Sequence, residues 1–474
     1  MAEDFRKYTD PGIYIEEARS PISAAPGISP TVVALVGQAQ NYRTYTEVVQ
    51  LTATTAVQLT KLGITTASIV VKDRFTGVTY ALTTDYTIAT QPGADATGGT
   101  ADDTTTITRV GAGTITDGQY VTVTYRYTEP DYYDAIRFTS FSDVVAAYGD
   151  PFDSAGAINS KLSLAAYLAF QNGAPELICA AVESAGATPT APEWTTAIGV
   201  LTATSDISLV VPIDGNTATH DSVQAHTAQM ALQQEYRIGL VGRDGTGAAV
   251  TSANLKSQAA GYSNSRMVLV GPAIVEYYNG VSVINLGGQY AAAAVAGAVA
   301  SRPVHVPVTR KTITGFWNIP NQETNQGLVE LQQAGVLMLF RKRTGEVVVR
   351  HGLTTNMTND YTRELNIVAA KDRLLLLIED TLDFSDLIGS PITDATPDAV
   401  TGAVIGALET AKSAGLIYDY SGVSYRQPPD TPTVIEVKFQ YRPTLPLNYI
   451  QVSFALDTNV GSTDFAAVGG GAVI

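Results

Sequence analysis

Two Asp-Gly pairs, Asp214-Gly215 and Asp244-Gly245, stand just behind the apolar runs Ile207–Ile213 and Arg237–Gly242. Parallel sheets bind ligands beyond the carboxyl ends of their strands, so carboxylates there are placed to ligate a metal or to move a proton. An α/β enzyme dependent on a metal or nucleotide would use Asp214 and Asp244 in that way and Gly242-Arg-Asp-Gly-Thr-Gly247 as a phosphate loop. The run has neither the GxGxxG spacing nor a GK[ST] ending. Asp-Gly is also ordinary turn chemistry, and turns are the favoured reading. His220 and His226 are six apart, which is not an i,i+4 pair, while His305 and His351 stand alone. There is no HExxH, CxxC or GxSxG. Cys179, the single cysteine, sits in Leu177-Ile-Cys-Ala-Ala-Val182 and is expected to be a small buried core residue. These residues form no catalytic constellation, and no cofactor or metal is implied.

The elements around them alternate. Thr31–Gly37 is apolar enough for a central strand. Ile158–Gln171 reads as a helix closed by Asn172-Gly173, a left-handed cap signal, followed by the buried strand Leu177–Val182. Strand Ile207–Ile213, helix Asp221–Tyr236, strand Arg237–Gly242, a helix from Ser252 and strand Arg266–Gly271 repeat the unit, which implies a parallel sheet. Tyr290–Ala300 is an Ala-rich helix. A helix over Thr324–Ala334 precedes a hairpin, Val336–Phe340 with Glu346–Arg350, whose tip Arg341-Lys-Arg-Thr-Gly345 is basic. Tyr361–Leu382 reads as one long helix with Leu365, Val368, Leu375 and Ile378 buried. Asp398–Ala414 reads as another, with Ala403, Ile405, Ala407 and Ala411 buried and Asp398, Glu409 and Lys412 outside.

Residues 44–128 differ in character. Thr-rich alternating runs, among them Gln119–Tyr127 with Val121, Val123, Tyr125 and Tyr127 on one face, are separated by turn signals at Gly77, Gly93 and Gly118. This is an all-β module inserted in a larger fold. The fold class is therefore α/β and α+β multidomain. Its expected parts are an N-terminal arm (1–30), a first core strand (31–43), the inserted all-β domain (44–128), a parallel α/β core (129–300), a mixed C-terminal domain (301–460) and a C-terminal arm (461–474).

Composition narrows the function. Charged residues are 16% of 474, against roughly 25% in an ordinary soluble domain, as suits a subunit that hides its surface in an assembly. A net charge of −16 disfavours direct contact with nucleic acid or an anionic membrane. The N-terminus carries no apolar signal-like region, and the uncharged stretch Tyr277–Ser301 is too broken by Gly, Asn and Gln to span a bilayer.

The two ends of the chain point the same way. Residues 8–30 string short apolar beads between Pro11, Pro21, Pro26 and Pro30, an extended arm that must lie on something else. Near the other end, Ile435, Val437, Phe439 and Tyr441 share one strand face, and Ile450, Val452, Phe454 and Leu456 repeat the alternation. Pro443 and Pro446 between them forbid a tight hairpin turn. The last residues, Gly461–Ile474, are Gly-rich yet tipped with apolar side chains and call for a partner.

Tyr8-Thr-Asp-Pro-Gly-Ile-Tyr-Ile-Glu-Glu17, with the arm and strand that follow, resembles the start of contractile tail sheath proteins of bacteriophages and related injection machines. Gly156–Ala181, Ala296–Arg302, Asn356–Leu382 and the segment 434–456 are similar to the same family; the insertion and Gly315-Phe-Trp-Asn-Ile319 depart from it. The resemblance implies a virion structural protein, assembled in the host bacterial cytoplasm, with no enzymatic activity. Its partners would be further copies of itself in stacked rings, a tail tube protein, and baseplate and tail terminator proteins. It implies arms that add strands to neighbours: Pro11, Gly12, Ile13, Tyr14 and Ile15 at one end, Phe465, Val468, Val473 and Ile474 at the other. The acceptor sheet would carry Ile435, Val437, Phe439, Ile450, Val452 and Phe454. The tube would be gripped by the helix bearing Asp398, Glu409 and Lys412, ahead of the basic tip Arg341–Arg343. A different self-assembling shell, such as a capsid or surface-layer subunit, is the alternative beside the enzyme.

Overall fold

The computed structural model describes residues 31–39, 42–93, 103–128, 134–182, 188–320, 322–383, 385 and 387–453. Strand β1 (Val32–Gln38) opens on an unbroken Val-Val-Ala-Leu-Val run because both its faces are covered. Val33 and Leu35 enter one core, Val32, Ala34 and Val36 the other.

Between β1 and the next core strand lies the insertion: β2 (Tyr42–Leu51), β3 (Val57–Gln58), β4 (Val70–Asp73), β5 (Tyr86–Gln91), β6 (Thr104–Arg109) and β7 (Gln119–Thr128). They form two three-stranded sheets, β2-β7-β4 and β3-β6-β5. Val121, Val123, Tyr125 and Tyr127 do share a buried face, closing with Leu51, Leu59, Ile107 and Ile115 a hydrophobic cluster of their own. β2 and β7 pair over their whole length, so Tyr42 lies opposite Thr128 and the chain enters and leaves side by side.

The core continues with β8 (Ala135–Phe138), α1 (Phe141–Tyr148), α2 (Lys161–Gln171), β9 (Leu177–Val182), α3 (Ala191–Val200), β10 (Ile207–Pro212), α4 (Thr217–Leu232), β11 (Ile238–Gly242), α5 (Ser252–Tyr262) and β12 (Met267–Gly271). A hairpin, β13 (Ile274–Tyr278) and β14 (Val283–Gly287), precedes α6 (Gly288–Ala300), α7 (Asn325–Gln333), β15 (Val336–Arg341) and β16 (Val347–Val349). The eight-stranded sheet runs β16-β15-β12-β11-β10-β1-β9-β8, parallel except at its two edges. The boundary expected at residue 300 is crossed by this sheet, because β15 hydrogen-bonds to β12. One face carries α2 and α6, the other α3, α4, α5 and α7. In α6 small side chains allow near-contact: a Cβ on Gly297 would overlap the Ala169 carbonyl of α2.

Caps set the helix ends. Asn216 accepts from Ala218 N and starts α4 about one turn before the expected Asp221. Asn172-Gly173 ends α2 as expected, Gly173 at φ +93°. The expected helix 361–382 is instead two, α8 (Asp360–Arg363) and α9 (Leu365–Asp383), broken at an extended Glu364. Thr354 N bonds Arg363 O and Leu365 N bonds Gly352 O, and these tertiary bonds outcompete one helical turn. In α9 Leu365, Val368 and Ile378 are buried as expected, but Leu374 takes the place assigned to Leu375.

α10 (Thr396–Ser413) buries Val404, Ala407, Leu408 and Ala411. Ile405, expected inside, is exposed, because it stands one residue off that i, i+3, i+4, i+7 stripe. β17 (Asp419–Arg426) and β18 (Glu436–Arg442) are the last strands among the described residues and pair as a two-stranded antiparallel sheet. Among the described residues no helix is long and apolar enough to cross a membrane.

Candidate functional site

The carboxyl ends of the parallel strands are sealed by backbone. A Cβ on Gly215 would collide with Asp244, and one on Gly242 with the carbonyl of Gly288. Asp214 accepts from the Thr219 hydroxyl at 2.5 Å within the first turn of α4. Asp244 accepts from the amide and hydroxyl of Thr246, at 2.8 and 2.6 Å, and from Gln289 at 3.2 Å. Both aspartates thus do turn and capping work. His220 is wholly buried, its Nε2 3.0 Å from the Asp214 carbonyl and its Nδ1 3.0 Å from Gln258. Burial, and then the Arg243 charge, pull its pKa down to about 4. His226 lies 3.0 Å from the buried Arg237 guanidinium and is likewise lowered to about 4, by burial first and by that cation second. Both are core histidines. Cys179 is buried in β9 and its thiol is pushed upward by burial. No group of three or more His, Cys, Asp or Glu able to hold a metal occurs among the described residues.

The C-terminal hairpin is built differently. Val437, Phe439 and Tyr441 rest on Leu374, Ile378, Leu408 and Ala411 of α9 and α10, while Lys438 and Gln440 face outward. Ile435 is half-buried just before β18. The helices thus serve as the missing second layer, since a lone two-stranded hairpin is marginal in water. Arg426 holds Glu436 across the strands through two bonds of 2.9 and 2.8 Å.

The partner of β18 is β17, not the expected strand at 450–456. Residues 443–453 form no strand, and Ile450 and Val452 are 77% and 78% exposed. β17 escaped sequence reading because DYSGVSYR has little apolar alternation and its pairing slips between Ser421 and Ser424, around Gly422 at φ +67°. Phe454, the arm residues Pro11 to Ile15, and Phe465, Val468, Val473 and Ile474 lie outside the described residues.

On α10, Asp398, Glu409 and Lys412 are exposed. Two of them already serve the hairpin: Lys412 pairs with Asp419 at 2.8 Å and Glu409 accepts from the Tyr420 hydroxyl at 2.6 Å. Asp398 sits in the first turn, where the helix dipole favours a carboxylate. At the basic tip, Arg341 donates to Gly345 O and Asn318, Lys342 pairs with Glu346, and Arg341 and Arg343 are both exposed.

A cluster that sequence reading missed lies beside the hairpin. The break at Glu364 sends its carboxylate inward, where Oε1 is 2.9 Å from His351 Nε2 and accepts from Asn448 Nδ2 at 3.0 Å. No spacing joins residues 351, 364 and 448, so only the tertiary fold reveals them. Nearby, Arg266 grips Asp372 of α9 with two bonds of 2.8 and 2.9 Å, fastening α9 to the sheet.

This architecture is shared by solved structures. The helical sheath of the anti-feeding prophage, in its contracted state, superposes with a TM-score of 0.57 over 95% of this chain and 100% of that one at 14% identity. The contracted sheath complex of PVC, an extracellular contractile injection system, gives 0.55 over 95% and 98%, again at 14%. The likeness is one of fold, shared with solved subunits of contractile sheaths. A family model described as the phage tail sheath protein central domain matches residues 187–355. The tail sheath protein of Mycobacterium phage Bxz1 is 36% identical over 410 residues, 85% of this chain and 70% of that protein. The chain belongs to the tail sheath protein family.

Proposed function

We propose that this virion tail protein polymerises around a tail tube by exchanging its terminal arms with neighbouring copies, and contracts to drive the tube through the envelope of a target cell. The observation that carries this reading is the hairpin β17-β18, which has no third strand among the described residues and is followed by an exposed apolar segment, Leu445 to Val452. Unpaired strand edges recruit strands, main-chain bonds supplying affinity and alternate side chains supplying register. At about 0.5–1.5 kcal/mol per net bond, six to eight bonds give several kcal/mol per link, and many links hold a mesh together through rigid-body motion.

In this reading the donated strands are residues 11–16 and 462–474, the acceptor is the sheet bearing Val437 and Phe439, and α10 holds the tube in the extended state. Contraction then needs no covalent chemistry, in keeping with a family of structural proteins. A baseplate signal releases a trapped state into one with more buried contact, and assembly takes place in the host bacterial cytoplasm. Deleting residues 1–20 is expected to leave a folded monomer that forms no hollow tubes in electron micrographs; tubes from the truncated protein would overturn the arm reading.

A further inference from the structure

After β18 residues 443–453 form neither helix nor strand. Pro443 is buried and Pro446 and Asn448 are half-buried, while Leu445 and Leu447 are exposed. From Tyr449 to Ser453 every residue is exposed, so Asn448 is the last described residue that is even half-buried. Its amide donates to Glu364 Oε1, and the Tyr449 ring meets His351 edge-on, 6.3 Å between centroids.

Glu364 cannot follow a wandering partner. Its neighbours are pinned by the bonds from Thr354 N to Arg363 O (2.7 Å) and from Leu365 N to Gly352 O (3.0 Å). Its Oε1 is further fixed by a relay. Arg350 Nε donates to Gln332 Oε1, which turns the Gln332 amino group toward His351 Nδ1 at 3.2 Å. His351 Nδ1 is therefore the acceptor, and Nε2 carries the hydrogen that Glu364 accepts.

We infer that Glu364 and Asn448 are positioning residues that fix where the C-terminal arm leaves its own subunit. The consequence for assembly rests on the arm-exchange reading; the tether itself does not.

The test uses full-length protein with spin labels at Val452→Cys and Ser413→Cys; the native Cys179 is fully buried and stays unlabelled. Asn448→Ala and Glu364→Ala are each expected to broaden the inter-label distance distribution at least twofold and to yield tubes of irregular helical lattice. Glu364→Gln, which keeps an acceptor for both His351 and Asn448, is expected to restore the narrow distribution and the regular lattice. A distribution for Asn448→Ala as narrow as that of the parent, or one for Glu364→Gln as broad as for Glu364→Ala, would overturn the tether. Because the distances are read on monomers, they decide the tether even where the 1–20 deletion still polymerises and the arm reading fails.

Discussion

The protein contains two small β structures of opposite character. The insertion has two sheets that face each other over Leu51, Ile107, Val121 and Tyr125, and it completes its own core. The hairpin β17-β18 has one sheet, borrows its inner layer from α9 and α10, and keeps strand edges without partners among the described residues. Both carry several tyrosines, but the insertion is dense in Thr, whereas DYSGVSYR and EVKFQYR hold none. The larger difference is closure: the first satisfies itself, whereas the second is half a structure until something is added.

Acid should divide the molecule most sharply. The stretch 42–128 holds no histidine, while His220 and His226 lie in the α/β core. Both are neutral when folded, with pKa about 4, and take a proton near 6.5 once unfolded. Lowering the pH from 6.5 toward 4 therefore favours the unfolded core, by roughly 3 kcal/mol per histidine. Thermal unfolding followed calorimetrically at pH 7 and pH 4.5 is expected to show the core transition falling much further than that of the insertion; equal shifts would contradict the division. In the insertion, Asp73 and Asp85 have carboxyl pKa values held below the usual range by backbone and Thr hydroxyl donors, so their contribution is lost only at still lower pH.

Ile107→Ala comes next. It opens a cavity in a fully buried site and should cost about 2–5 kcal/mol. If the insertion is self-sufficient, only its own transition moves, and circular dichroism bands from the helical core keep their midpoint. Glu436→Gln has the smallest effect. Its partner Arg426 is 61% exposed, so the monomer should lose no more than about 1 kcal/mol in a denaturant titration. A larger loss would mean that the hairpin is more self-supporting than its two strands suggest.

Much of the core was legible because parallel strands buried on both faces leave unbroken Val, Ile and Leu, and because caps such as Thr324 and Asn172-Gly173 are local chemistry. Other local signals were present but unread. Asn279-Gly280 is the turn of β13-β14, inside a stretch judged only for membrane length. Thr190-Ala-Pro-Glu193 is the capping box of α3. The break at Glu364 was not legible at all: apolar spacing runs continuously through it, and the bonds that break the helix come from residues 352 and 354. The strand expected from Ile450 onward is absent over 450–453 for a related reason. Alternation reports that a segment can be a strand, not which strand, or whose, it pairs with.

The facing ends of β2 and β7 have a consequence for engineering. Because Tyr42 and Thr128 lie directly opposite one another, residues 42–128 form a cassette on a single stem. A graft whose termini stand one strand spacing apart, about 4.8 Å, meets the same two attachment points, and β1 and β8 need not shift to receive it.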